Sequence, residues 1–138
     1  MFDTEVESQG KIFVTTELGG AGTSTAKSVA IARKGIRNLL IHAGLMQGDL
    51  ETAPSVQLDM PDERCFVFAQ TAGLIEYLVD LGAPVKTGQP IARVWPNDRT
   101  GVEPLECLAG LDGILTARHV PGLLQLGDFV ALVAVEVS

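Results

Sequence analysis

Positive charge is scarce in this sequence. Ten lysines and arginines stand against seventeen aspartates and glutamates, giving a net charge of -7. A nucleic-acid partner needs a basic face for its phosphates, and none is visible, so that class is excluded. Long apolar runs are absent too: nothing approaches the roughly 20 residues of a membrane span. No basic stretch followed by an apolar one opens the chain, so no signal peptide is expected. The two cysteines, Cys65 and Cys107, lack CxxC spacing. They are expected to be buried free thiols in a reducing cytoplasm rather than a disulfide or a metal site. The two histidines, His42 and His119, belong to no H-x-x-E or H-x-x-x-H pattern, so no metal site is expected from this chain's own residues. His42 reads as a late-helix residue stabilised by the helix C-terminus. His119 reads as a turn residue ahead of Pro121-Gly122. There is no G-x-S-x-G nucleophile elbow and no Gly-Lys-Ser/Thr phosphate loop.

What is present is apolar and turn-rich. Apolar residues make up 46% of the 138, with 15 glycines, while aromatics reach only 5%. That suits one ordinary domain, or a small domain plus part of another. Residues 12 to about 45 read as strand, glycine loop and helix. Ile12-Phe13-Val14-Thr15-Thr16 is β-branched and apolar, as in a buried strand. Thr23, Ser24 and Thr25 are candidate N-caps. Val29, Ala32, Ile36, Leu39, Leu40 and Ala43 fall on one helical face, with Arg33, Lys34 and Arg37 on the other. Gly35 weakens the helix and Gly44 is a candidate C-cap. One strand and one helix cannot bury both apolar faces alone, so the unit needs neighbouring strands that this sequence does not supply. Residues 48 to 62 are polar, contain two prolines, and read as a linker.

From Arg64 onward helical periodicity disappears, and short apolar runs alternate with Gly, Pro, Asn and Asp. An internal repeat is legible. Gly73 opens "GLIEYLVDLGAPVKTGQPIARV" and Gly113 opens "GILTARHVPGLLQLGDFVALV". Val85, Gly88, Ile91 and Val94 are spaced by threes in the first copy, as are Leu124, Gly127, Val130 and Val133 in the second. Each copy reads as strand, turn, strand, with "KTGQP" and "QLGDF" as turns. Two such units packed together suggest a small β-sandwich or flattened barrel. The pattern resembles the barrel-sandwich hybrid of lipoyl and biotinyl carrier domains. Those carriers need a lysine at an exposed hairpin tip between the halves. The segment "NDRTGVEPLECLAG" has none, and the chain's lysines are Lys11, Lys27, Lys34 and Lys86. A covalent carrier is therefore not expected.

Glu17 ends the apolar run, and Gly19, Gly20 and Gly22 follow it. In α/β sheets ligands sit where a strand's C-terminal end meets a helix, and glycines let backbone approach a ligand closely. A carboxylate placed there can act as a general base on a water that a divalent metal activates. The bland alternative is a loop-closing surface acid.

"FVTTELGGAGT" followed by "SVAIARKGIRNLLIHAGL" resembles the C-terminal part of the succinylglutamate desuccinylase/aspartoacylase family. The later "VDLGAPVKTGQPIARV" and "GILTARHVPGLLQLGDFVALVA" are similar to the β domain that ends those proteins. The resemblance implies an α+β chain. Residues 1–50 would be the C-terminal strand-helix piece of a zinc-carboxypeptidase-like α/β catalytic domain, and 51–138 a small all-β, barrel-sandwich-like accessory domain. It implies a zinc-dependent cytoplasmic hydrolase that removes an N-acyl group from an amino acid or related amine. The zinc ligands would lie in an N-terminal half not matched here, and Glu17 would be the general base. Gly19 and Gly20 would border the substrate. Arg118, with His119 in "TARHVPG", and the "PNDRTG" loop are candidate rim residues whose bland reading is solvated turn. The chain alone is then expected to be inactive and to bind no zinc. The alternative is a free-standing acidic β-domain interaction module, with a homo-oligomer covering the exposed 12–16 edge.

Overall fold

The long helix of the first unit forms where local signals are densest. In the computed structural model, which describes residues 2–120 and 122–137, this helix, α2, spans Ala26–His42. Of the three candidate caps it uses Thr25. The Ser28 amide donates to Thr25 Oγ1 at 3.1 Å, and the Thr25 amide donates to Ser28 Oγ at 2.9 Å, a reciprocal capping box. His42 lies in its last turn. At the other end Ala43 is the C-cap, and Gly44, one residue later, has φ +71°. The Gly44 amide donates to Ile41 O and the Leu45 amide to Leu40 O, which is the Schellman arrangement that favours glycine at this position. The chain then folds back along the helix. Asn38 exchanges two hydrogen bonds with the Glu51 backbone, at 2.9 and 3.0 Å. The first residues of the expected linker are thus tied to α2.

The expected strand over 12–16 does not form: residues 11–18 take no regular secondary structure. β-branched residues favour a strand only where a ladder partner exists, and no described segment pairs with this one. Ile12 is 94% and Val14 64% exposed. A short helix α1, Phe2–Ser8, precedes this stretch, and its Phe2 ring meets Phe13 edge-on at 5.7 Å. α2 itself has no buried residue. Its apolar side, with Ile31, Ala32, Gly35, Ile36 and Leu39, forms an open groove of about 430 Å³ with residues 14–16 and Leu18.

Between Ala53 and Pro54 the chain divides into two compact units. The second is all β apart from one 3-10 turn, Glu63–Cys65. Its strands are β1 (Leu58–Asp59), β2 (Phe66–Phe68), β3 (Gly73–Tyr77), β4 (Pro84–Val85), β5 (Pro90–Trp95), β6 (Leu105–Leu108), β7 (Gly113–Arg118), β8 (Leu123–Leu124) and β9 (Phe129–Glu136). One antiparallel sheet runs β1-β9-β7-β4, with β2 also on β9, and the other runs β6-β5-β3-β8. They share one core, in which Ile91, Val94, Leu115, Leu124, Val130 and Val133 are fully buried. The sheets remain two ladders and do not close into a barrel. Of the expected small β-sandwich or flattened barrel, the two packed sheets are present, and closure into a barrel is not seen among the described residues. Cys65 and Cys107 are buried free thiols, and burial pushes the Cys107 thiol up. Among the described residues no helix is long and apolar enough to cross a membrane.

The repeat is real, and its copies are interlocked. β3 pairs with β5 and β7 with β9 inside each copy. The short middle strands cross over: Val85 of β4 sits opposite Gly113, and Leu124 of β8 opposite Gly73. Equivalent bonds recur. The Leu115 amide donates to Ala83 O at 3.0 Å, and the Ile75 amide to Gly122 O at 2.8 Å. Gly88 donates to Ala109 O, and Gly127 to Ala69 O, both at 2.8 Å. β2 and β6 thus belong to the repeat as well. The spacing by threes has a physical cause. Register shifts leave Ile91 as an extra residue in β5 and Val130 as one in β9. A bulge moves the inward phase by one residue, so Val94 and Val133 follow three residues later. The turn expected at Pro121-Gly122 is described only at Gly122, since Pro121 lies outside the described residues.

Candidate functional site

Glu17 stands where the irregular segment meets the glycine loop. Gly19 has φ +108°, a region open mainly to glycine. The next four residues form a tight turn. The Thr23 amide and hydroxyl donate to Gly20 O at 3.0 and 2.8 Å. Both central residues have positive φ: Ala21 at +57° and Gly22 at +66°, the backbone of a type I′ turn. For Ala21 this is strained by about 1–2 kcal/mol. Strain of this kind is typical of loops held for a task.

The loop delivers Glu17 to the start of α2. Glu17, Leu18, Gly19, Thr25, Lys27, Ser28 and Ile31 line one shallow depression of about 270 Å³. Gly20 does not line it, being spent on the turn. Glu17 is exposed there and makes no ion pair among the described residues. Lys27, which lines the same depression, belongs to no motif in the sequence. It occupies the first turn of α2, which carries no acidic residue. A cation there opposes the helix dipole at a cost of about 0.3–1 kcal/mol. That misplaced charge is the signal that would have flagged it.

The β unit holds the other candidates. Arg118, at the end of β7, stacks over the Tyr77 ring at 4.8 Å. Its Nη1 lies 3.8 Å from Asp80 Oδ1. The Tyr77 hydroxyl donates to His119 O at 2.6 Å. Burial pushes the Tyr77 phenol up, against the opposing charge of Arg118. Arg118 thus clamps a tyrosine that packs against the core. His119 Nε2 is buried without a partner among the described residues. The "PNDRTG" loop is a solvated turn in which Arg99 meets Asp98 at 3.8 Å. Glu17 and Gly19 therefore share one depression in the first unit, while Arg118 and His119 belong to the second.

Among the described residues no group of three His, Cys, Asp or Glu side chains could hold a metal ion. The donor set of a catalytic zinc is normally three such side chains with a fourth position open. This chain's described residues do not fit that requirement.

No protein-family model matches the chain. It is 52% identical over 136 residues to the N-alpha-acetyl-L-2,4-diaminobutyric acid deacetylase of Halomonas elongata, covering 97% of this chain and 40% of that protein. The product-bound structure of the ectoine utilization protein EutE (DoeB) from Ruegeria pomeroyi superposes with a TM-score of 0.93 at 55% identity, over 98% of this chain and 41% of that one. The structure of a succinylglutamate desuccinylase/aspartoacylase from Rhodobacter sphaeroides gives a TM-score of 0.91 at 32% identity, over 99% of this chain and 44% of that one. The chain thus spans about two fifths of the length of these relatives.

Proposed function

From the premise that this chain belongs to the succinylglutamate desuccinylase/aspartoacylase family, we propose that it is the C-terminal part of a hydrolase that removes an N-acyl group from an amino acid. The observation that carries the reading is the 52% identity, sustained over nearly the whole chain, to a deacetylase of that substrate class. On the same ground we take the substrate to be Nα-acetyl-L-2,4-diaminobutyrate or a close analogue. Glu17 is the general base. Its carboxylate accepts a proton from the water that attacks the acyl carbonyl, as the new C–O bond forms. It then returns that proton to the amide nitrogen as the C–N bond breaks, releasing acetate and a free amine. Proton transfer by a positioned side chain contributes about 10²- to 10⁴-fold. Gly19, with no side chain and positive φ, leaves the depression open beside Glu17.

The zinc of the family belongs, in this reading, to residues outside this chain. So does the cover for the open groove between residues 14–18 and α2. The chain on its own is inactive. The test is acetate release from Nα-acetyl-L-2,4-diaminobutyrate by the complete protein and, separately, by residues 1–138. Turnover by the complete protein alone supports the reading. No turnover of any N-acyl amino acid by either, or turnover by residues 1–138 alone, overturns it.

A further inference from the structure

We draw no further inference here: the strongest candidate, the apolar cleft in the β unit that Phe66 and Phe68 of β2 and Leu105 and Leu108 of β6 line, carries nothing, because nothing in the structure shows what covers it.

Discussion

Replacing Gly113 by alanine tests the interlocked repeat most sharply. A Cβ at position 113 would lie 2.3 Å from the Ala134 carbonyl oxygen, 2.9 Å from Val133 Cγ1 and 3.0 Å from the Ala134 carbonyl carbon. A carbon–oxygen contact needs about 3.3 Å, so β7 and β9 must part by about 1 Å at this rung. The neighbouring pair Ile114–Ala134 belongs to that ladder, and Gly113 itself faces Val85 of β4. Overpacking costs about 1–3 kcal/mol, and a distorted ladder bond adds about 1 kcal/mol. A total near 3 kcal/mol lowers the melting temperature of a domain this small by about 12–24 °C, at about 4–8 °C per kcal/mol. Gly122→Ala is the control: its Cβ meets nothing within 4 Å and its φ is not positive. It should stay within about 0.5 kcal/mol of wild type. Gly73→Ala is the symmetry partner. Its Cβ would lie 2.2 Å from the Trp95 carbonyl oxygen, at φ +156°, so it should cost at least as much as Gly113→Ala. Thermal unfolding followed by circular dichroism reads all three. A shift below about 2 °C for Gly113→Ala, or equal shifts for Gly113→Ala and Gly122→Ala, would refute the reasoning.

Two further outcomes follow from the same structure. Asp112 accepts hydrogen bonds from the Lys86 ammonium and from the Thr87 amide and hydroxyl, and these hold its carboxyl down at about 2. Its folded pKa is thus below the unfolded value of about 3.9, so its stabilisation is complete above pH 4 and is lost as pH falls toward 2. The melting temperature should decline across that window, and Asp112→Asn should flatten the decline; an unchanged slope contradicts this. In residues 1–138 as a monomer, amides of α2 should exchange faster than those of β5 and β9. No residue of α2 is buried, whereas Ile91, Val94, Val130 and Val133 are, and uniform protection contradicts the reasoning.

Some of this was legible in the sequence because it is local. Thr25, Ser28 and Gly44 announce α2 through hydrogen bonds that span only a few residues. The turns at 86–90 and 125–129 carry Gly88 and Gly127 at φ +79° and +86°. The triplet spacing named residues that prove fully buried, although its cause, a bulge in each copy, was not visible. Pairing is not local. Nothing in residues 84–85 says that they join β7 rather than β3. Residues 12–16 have the composition of a strand but no ladder partner among the described residues, so composition alone does not make them one. The alternation of Cys65, Val67 and Ala69 with exposed neighbours, echoed by Cys107 and Ala109, was a readable strand signal that would have extended the repeat upstream. At the candidate site, Glu17 stood out because an acid against a glycine loop is unusual. Lys27 did not, because a lysine on a helix is ordinary until its position in the first turn is known.

The central claim, that Glu17 is the base of an N-acyl amino acid hydrolase, meets its most direct test in one comparison. Wild-type and Glu17→Gln forms of the complete protein are assayed for acetate release from Nα-acetyl-L-2,4-diaminobutyrate at saturating substrate. The account predicts a fall in kcat of about 10²- to 10⁴-fold, with KM little changed and the fold intact, since Glu17 is exposed and bonded to no described side chain. A kcat within about threefold of wild type would contradict it.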